Sequence, residues 1–475
     1  MAIDDLRNWL KEVDKMGEIE RFDGADWNLE VGCIVELYRE KTPPVLLFDN
    51  IKGYPKGHRI VCSVLETPTR MSLTLNLPPC HSISQLLEIM PGKISEWTAK
   101  SKEFPPEVVD TGPILENVHS GDEVDLFEFP VPKWHEIDGG RYIGTGHAVI
   151  TQDPDTGEVN LGTYRVVAHD KKTTGIFMDT GRHAGLHIQK YHERGQAAPV
   201  AMSVGHHPLV LGIACQPVVV PEYNFMGAIR GEPIKVIKEE VTGLPIPADS
   251  EIVLAGWCPP GKTKTEGCFG EWTGYASGQR LAPVIEVERI YHRNEPILVG
   301  APPGRSPYDT VRWSALFRSS LLYNEFIATG VSDVKGIWVN EAGGSCTIVI
   351  VSIKQRYAGH AKRAALIASQ SQATSYANKY VIVVDEDIDP TNINEVLWAM
   401  AQRSDPEKDI DIIRRTRGAE LDPMIRKPTK AFFNSKAIID ACKPYEWMDE
   451  FPPEVKASPE LVARVKQKWD KLTKL

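Results

Sequence analysis

Two carboxylates lie five residues apart in a segment rich in glycine and aromatic residues. They are Glu266 and Glu271, within Glu-Gly-Cys-Phe-Gly-Glu-Trp-Thr-Gly at 266–274. A regular strand would point the two side chains to opposite faces, and the glycines would weaken a helix. Glycines instead permit a tight, bulged loop in which both acids turn toward one place. Two carboxylates in a partly apolar pocket suit general acid–base catalysis, whereas the alternative is a glycine-rich hairpin with two solvated acids.

Further residues in the central part of the chain could bind a ligand or a metal ion. Asn160, His183 and Glu222 carry oxygen or nitrogen donors, but their wide separation in sequence proves nothing by itself. His183 lies in a glycine-flanked turn that could expose its ring, and His187 and His192 compete for the same role. A single histidine is more often a hydrogen-bonded core or surface residue than a metal ligand.

Two basic residues could recognise anions. Arg165 belongs to a predicted strand and could point inward, where its guanidinium would require a carboxylate or phosphate partner. Structural ion pairing is the ordinary role of such an arginine. Lys362 follows Gly359 where a predicted strand joins a helix, an arrangement that is common at phosphate sites but only weakly specific.

The composition limits the class of protein. The chain has 475 residues, of which 42% are hydrophobic and 25% charged, as expected for a globular protein of two or three domains. The net charge of -10 argues against a general nucleic-acid binder. No signal peptide is visible, and the most apolar stretch, 208–220, is too short to span a membrane. Eight scattered cysteines form no CxxC pair, so we expect a cytoplasmic protein with reduced thiols.

The first hundred residues predict a mixed helical and strand region. An amphipathic pattern near the start predicts a helix, residues 45–48 predict a strand, and helical patterns follow at 82–90. A proline-rich, polar passage at 103–121 is typical of a linker.

The remainder of the chain changes character twice. From 126 to about 293, short strand-like runs are separated by Gly, Asp and Asn, as in a barrel or sandwich, with a hairpin turn at 153–157. From about 333 to 442, strands alternate with helices, which indicates an α/β layer. Residues 458–475 predict a basic amphipathic tail helix that could pack on a partner subunit.

Six motifs occur together in the order and spacing of one family. They are Asn160 to Arg165, the Arg-His-Ala-Gly turn at 182–185, Glu222 to Gly227, Glu266 to Gly274, Gly359 to Lys362 and the acidic run at 383–389. The chain resembles the UbiD family of reversible decarboxylases, which includes ferulic acid decarboxylase and the 4-hydroxybenzoate-type carboxy-lyases. The resemblance covers essentially the whole chain.

The resemblance implies an α+β fold with the active site in a crevice between two domains. The implied parts are an N-terminal α/β domain at 1–115, a prenylated-FMN-binding split β-barrel of the flavin-reductase type at 116–305, a connecting helix at 306–332, a C-terminal α/β dimerisation domain at 333–452 and a tail helix at 453–475.

The resemblance also implies prenylated FMN as the cofactor, with manganese tying its phosphate to the protein and potassium beside it. By matched position, the metal ligands are Asn160, His183 and Glu222. The residues expected to bind the cofactor are Asn160, Thr163, Tyr164, Arg165, Arg182, His183, Glu222 and Lys362. The potassium loop is expected near 214–217, although the match there is poor.

Arg165, Glu266 and Glu271 match the family's catalytic Glu-Arg-Glu network. The implied reaction is the non-oxidative, reversible decarboxylation of an aromatic, heteroaromatic or α,β-unsaturated acid through a covalent adduct with prenylated FMN. Arg165 would orient the substrate carboxylate, Glu271 would donate the replacing proton, and Glu266 would tune both. The implied partners are the acid, a flavin prenyltransferase that supplies the cofactor and a second copy of the chain.

Other interpretations stay open from the residues alone. One alternative is a flavin oxidoreductase on the same barrel, which would not use the Glu-Arg-Glu network. Another is a non-catalytic subunit of a carboxylase complex, which would not need this network either. Arg182 would contact the cofactor or pair with Asp179, and Arg305 would reach the substrate pocket or lie on the surface. Cys268 stands where many relatives have proline, and a buried, inert thiol is its expected state.

Overall fold

The N-terminal region packs helices against a small sheet. The computed structural model describes residues 3–39, 41–178, 181–425 and 432–469. The region contains α1 (Leu6–Lys15), β1 (Ile19–Asp23), α2 (Glu30–Arg39), β2 (Val45–Asp49), β3 (Arg59–Cys62), α3 (Pro68–Thr74), α4 (Ile83–Ile89) and α5 (Lys93–Lys100). Helix α1 buries one apolar face, as predicted, and the side chain of Asp5 caps its first turn.

The passage predicted to be a linker contributes two short strands, β4 (Glu107–Val108) and β5 (Asn117–Ser120). Strand β4 runs parallel to residues 235–236, and β5 pairs antiparallel with residues 289–292. The linker prediction is therefore wrong, because the backbone of this passage is hydrogen-bonded to the central part of the molecule.

The central region is mainly antiparallel sheet. Its elements are β6 (Arg141–Gly144), β7 (His147–Gln152), β8 (Val159–Gly162), β9 (Val166–Ala168), β10 (Thr173–Ile176), α6 (His183–Glu193), β11 (Ala198–Val204), α7 (Pro208–Ala214), α8 (Glu222–Arg230), β12 (Lys235–Lys238), β13 (Pro245–Pro247), β14 (Ile252–Cys258), β15 (Thr263–Glu266), β16 (Phe269–Gly270), β17 (Ala276–Ser277), β18 (Arg280–His292) and β19 (Ile297–Gly300). The predicted hairpin turn at 153–157 joins β7 to β8.

The large central sheet has the strand order β6-β9-β10-β18-β14-β11-β7-β8 and curls into a half-barrel. Strand β18 is long enough to pair with β5 and β15 as well as with its two neighbours in this order. A bulge at Ala255–Gly256 of β14 shifts the register against β18, and such bulges increase the bending of a sheet. Strand β19 follows β18 along the chain but is not part of the half-barrel. It completes the N-terminal sheet in the order β1-β2-β3-β19.

A long helix, α9 (Asp309–Ala328), connects the half-barrel to the C-terminal region, as predicted. The Trp313 Nε1–H donates to the carbonyl of Gly212 at 2.8 Å, which fastens α9 to α7. The buried carboxylate of Asp309 accepts hydrogen bonds from the backbone N–H groups of Val64 and Leu65. The helix is thereby fixed against the other two regions at its first turns.

The C-terminal region is an α/β layer, as the alternating pattern predicts. It contains β20 (Val334–Val339), β21 (Ile348–Ile353), α10 (His360–Gln370), β22 (Tyr380–Asp385), α11 (Ile393–Arg403), β23 (Ile410–Arg417), β24 (Phe433–Ala441) and α12 (Pro459–Lys468). The strand order is β20-β21-β22-β24-β23, with β21, β22 and β24 parallel. The apolar side chains of the tail helix α12 are exposed, and residues 470–475 of the predicted tail lie outside the described residues. Among the described residues, no helix is both long and apolar enough to cross a membrane.

A buried histidine of β7 fixes the connection between β8 and β9. His147 is fully buried, and its Nε2–H donates to the backbone carbonyl of Tyr164 at 2.8 Å. Burial lowers the pKa of His147 to about 4 because the charged imidazolium would lose its hydration. The neutral ring is therefore the form that the fold requires.

We predict that His147→Gln weakens the dependence of stability on acid pH. Below pH 6.5 the unfolded chain binds a proton at His147 that the native protein does not, so native stability falls as the pH falls toward 4. This loss amounts to about 2 to 3 kcal/mol at pH 4.5 and is absent from the variant. Urea unfolding followed by circular dichroism between pH 7 and 4.5 measures it, and equal pH slopes in both proteins would contradict the assignment.

Candidate active site

A buried arginine at the junction of β8 and β9 binds two carboxylates. Arg165, with a side chain only 8% exposed, donates from Nε and Nη2 to the two oxygens of Glu266 at 2.6 and 2.7 Å. Its Nη1 pairs with Oε1 of Glu271. The guanidinium also lies over the ring of Phe177, 4.5 Å from the centroid. The network is rigid, because a forked arginine–carboxylate pair fixes both partners in one plane.

The glycine-rich loop brings both acids to this arginine. Glu266 ends β15, and Glu271 occupies a turn between β16 and β17. Gly267 and Gly274 have φ angles of +90° and +80°, which residues with a Cβ rarely adopt. The solvated-hairpin alternative is therefore wrong, since Glu266 is 1% exposed and the Glu271 side chain 13%.

The two carboxylates have different surroundings. Glu266 accepts both fork hydrogen bonds from Arg165 and a third from the hydroxyl of Tyr142 at 2.9 Å. Glu271 has fewer donors and lines an adjacent cavity, whereas Glu266 does not. The sequence contains no signal that marks Tyr142, because its position depends on how β6 packs beside the loop.

Burial sets the proton affinities in this network. It raises the pKa of Glu271, and the charge of Arg165 opposes that effect only in part. Burial disfavours the charged form of Arg165, but the hydrogen bonds that it donates to Glu266 and the charge of Glu271 outweigh this effect and raise the pKa of Arg165. Arg165 therefore stays a cation, and Glu271 is the group that is more easily protonated than an ordinary glutamate.

A cavity of about 310 Å³ opens beside Arg165 and Glu271. Its wall comes from the half-barrel, from helix α9 and from loops of the C-terminal region, so the predicted crevice between these parts is present. Aromatic side chains contribute flat surfaces on several sides, namely Phe177, Phe269, Trp272, Tyr308 and Tyr376. A planar ring could stack in such a space.

Helix α9 supplies a cavity wall that the motif analysis missed. Thr310, Ser314 and Arg318 line the cavity and are spaced four residues apart, so they share one face of the helix. Their four-residue spacing is a signal that could have placed them on one face of a predicted helix. Arg318 adds a third cation to a wall that also contains Arg165 and Arg182.

The three residues expected to bind a metal lie close together. Asn160 is on β8, while His183 and Glu222 are the first residues of α6 and α8. Oδ1 of Asn160 lies 3.2 Å from Nδ1 of His183, and the carboxylate of Glu222 accepts from the backbone N–H of Leu161 at 3.2 Å. Three segments that are far apart in sequence thus meet at one place.

The chemistry of this group fits a cation. Glu222 is buried, and burial raises its pKa to about 7. Within the described part of the chain, no lysine or arginine forms an ion pair with Glu222. A buried carboxylate of this kind is costly unless a cation compensates it. The starts of α6 and α8 would in addition favour a nearby phosphate.

The other expected cofactor residues divide into two groups. Thr163, Tyr164 and Arg182 line the cavity. Asp179, the alternative partner of Arg182, lies outside the described residues. Lys362 is not placed as expected for a residue that binds the cofactor phosphate. It does not line the cavity, and its Nζ pairs with Asp411 on β23.

Two further side chains with open alternatives can now be placed, and Arg305 is exposed, as its surface alternative has it. Arg305 borders a separate cavity on the other side of the loop, together with Gly274 and Lys379, and does not line the one beside Arg165. Cys268 is half-buried and forms no disulfide.

Comparison with known proteins gives consistent matches along the chain. Three domain models of 3-octaprenyl-4-hydroxybenzoate carboxy-lyase match: the N-terminal domain at 10–90, the Rift-related domain at 107–306 and the C-terminal domain at 313–441. A phenolic acid decarboxylase of Streptomyces sp. (strain D7) is 32% identical over 464 residues, which cover 94% of this chain and 93% of that protein.

Solved structures agree with these sequence matches. The vanillic acid decarboxylase of Sedimentibacter hydroxybenzoicus in its open form has a TM-score of 0.84 and 30% identity, covering 100% of this chain and 99% of that one. The UbiD-class enzyme HmfF of Pelotomaculum thermopropionicum in complex with FMN has a TM-score of 0.85 and 26% identity, covering 96% and 98%. An evolved dimeric form of HmfF in complex with prenylated FMN has a TM-score of 0.81 at the same identity and coverage. The chain therefore belongs to the UbiD family of carboxy-lyases.

Proposed function

We propose that this carboxy-lyase catalyses the reversible, non-oxidative decarboxylation of an aromatic, heteroaromatic or α,β-unsaturated acid with prenylated FMN. The observation that carries the proposal is the pairing of Arg165 with Glu266 and Glu271 beside an aromatic cavity. The HmfF complexes with FMN and prenylated FMN support the choice of cofactor. We further propose that the half-barrel is a split barrel of the flavin-reductase type.

The cofactor would lie in the cavity along Thr163, Tyr164 and Arg182. When bound, it supplies an electron sink for the electron pair that carbon dioxide leaves behind. Asn160, His183 and Glu222 would hold a divalent ion, which we propose is manganese, between the cofactor phosphate and the protein. A potassium ion would lie beside it, near residues 214–217.

Arg165 would orient the substrate carboxylate. An arginine has five N–H donors, and three of those of Arg165 are used by Glu266 and Glu271. The remaining two can donate to a carboxylate that enters the cavity. Glu266 would act as a positioning residue, because its oxygens are occupied and it does not face the cavity.

Glu271 would move the proton. Its carboxyl group lines the cavity, and burial raises its pKa, so the group takes up a proton more readily than an ordinary glutamate. After carbon dioxide leaves, Glu271 would donate a proton to the carbon that carried the carboxylate. In the reverse direction the same group would remove that proton as the carboxylate forms.

The assembly is proposed to be a homodimer or a higher homo-oligomer, in agreement with the dimeric form of HmfF. The exposed apolar face of α12 offers one surface that a second copy could cover. A flavin prenyltransferase would supply the cofactor.

The proposed function is tested by producing the chain together with a flavin prenyltransferase and offering it a panel of acids. The panel contains hydroxybenzoates, benzoates, cinnamates and heteroaromatic acids, and released carbon dioxide is measured. We expect turnover of at least one member that depends on the loaded cofactor. A flavin that is instead reduced by a hydride donor, with no release from any acid, would favour an oxidoreductase.

Replacing Glu271 with glutamine should stop proton delivery while leaving the cofactor in place. Glutamine can still accept a hydrogen bond from Arg165 but has no carboxyl proton to transfer. We expect kcat to fall by about 10² to 10⁴-fold, with unchanged cofactor absorbance. The matched control is Glu288→Gln, which alters an exposed glutamate of β18 and should retain activity. Full turnover by loaded Glu271→Gln would rule out the assigned role.

Replacing Glu222 with glutamine should weaken manganese binding. The amide keeps the size of the side chain but removes the negative charge that compensates the ion, so we expect affinity to fall by at least about tenfold. Electron paramagnetic resonance of free Mn²⁺ during titration measures the affinity without reference to activity. Glu193→Gln, at the exposed end of α6, is the control. Equal manganese affinity in Glu222→Gln and the control would exclude Glu222 as a ligand.

A further inference from the structure

A second group of metal-binding side chains lies on the half-barrel, formed by residues that the proposed reaction does not use. His119, Glu128 and His292 each offer a ligand atom, and these atoms lie within 4.8 Å of one another. Nδ1 of His119 is 3.1 Å from Oε1 of Glu128. All three residues are half-buried, so solvent can reach the group while the protein holds it in place.

The sheet register explains why these side chains meet. His119 is on β5 opposite Ile290 of β18, and His292 is opposite Asn117 in the same antiparallel pair. Opposed residues and residues two apart share one face of a sheet, so the two imidazoles are diagonal neighbours. Their ring centroids are 5.0 Å apart. Glu128 ends the short helical turn Leu126–Glu128, which brings its carboxylate to the same face.

The hydrogen bonding of His292 leaves one of its nitrogens free to bind an ion. Its Nδ1–H donates to the carbonyl of Arg293 at 2.9 Å, because a carbonyl can only accept. Nε2 then carries the lone pair, and this atom is buried without a hydrogen-bond partner in the described part of the chain. A backbone carbonyl that fixes the tautomer of a histidine is a common feature of metal sites.

We propose that His119, Glu128 and His292 bind a divalent transition-metal ion of the zinc type. Two imidazoles and one carboxylate suit Zn²⁺ better than Mg²⁺ or Ca²⁺, which prefer oxygen ligands. At usual zinc distances, neighbouring ligand atoms are about 3.3 Å apart, close to the separation of His119 and Glu128. Small side-chain rotations would bring in His292.

The ion would fasten β5 and the turn at 126–128 to the end of β18. These are the segments through which the chain enters the half-barrel, and β18 is the strand with the most partners in the sheet. Three protein ligands leave a fourth position for water.

The test measures zinc bound per chain after chelator treatment of the full-length protein, by equilibrium dialysis against Zn²⁺. We expect His119→Ala and Glu128→Gln each to lower the affinity for one zinc ion per chain by at least about tenfold. The control His81→Gln, which changes an exposed histidine outside the group, should bind as the unmodified protein does. Circular dichroism without metal confirms that each variant is folded.

A second series separates this site from the proposed manganese site. His183→Ala should bind with unchanged affinity the zinc ion whose affinity His119→Ala lowers. The proposed zinc site and the proposed manganese site can therefore be confirmed or rejected independently. Zinc should also raise the midpoint of thermal unfolding in the unmodified protein more than in Glu128→Gln, because an ion that binds the native state stabilises it. Equal zinc binding and equal shifts in the unmodified protein, His119→Ala and Glu128→Gln would overturn the proposal and leave an ordinary hydrogen bond between His119 and Glu128.

Discussion

A buried arginine cation between two carboxylates is the interaction on which the rest of the site depends. Isolated burial of any of these three charges would be costly, and removal of one partner would leave another uncompensated. Arg165 therefore constrains the β8–β9 junction and the loop from β15 to β17 at once. The aromatic rings above the guanidinium exclude water and strengthen the pairing.

The same arrangement gives two chemically identical side chains different surroundings. Glu266 is held by three donors and faces away from the cavity, so its carboxylate serves to fix Arg165. Glu271 has fewer partners and faces the cavity, where burial makes protonation easier. Position relative to one cation thus separates a structural acid from the proposed proton donor, without any difference in residue type.

Much of the fold and part of the site could be predicted from the sequence, because local sequence patterns indicate these elements. The hairpin at 153–157 and the alternating C-terminal elements follow from periodicity and turn residues, whereas helix α9 is expected only from the family resemblance. The meeting of Glu266 and Glu271 follows from glycines with positive φ. Lys362 shows the limit of such reasoning: its glycine-led helix start is present, but the helix belongs to the C-terminal layer and the lysine pairs with Asp411. Contacts such as that of Tyr142 with Glu266 depend on tertiary packing alone.

The most direct test of the central claim is exchange of the carboxyl group of a substrate with labelled bicarbonate, catalysed by cofactor-loaded protein. The reaction requires carbon dioxide to leave and return at one carbon, which neither a flavin oxidoreductase nor a non-catalytic subunit achieves. We expect incorporation of the label into the acid with no net oxidation or reduction, and loss of this incorporation when Arg165 can no longer hold the carboxylate. Absence of label in every acid that the loaded protein binds would contradict it.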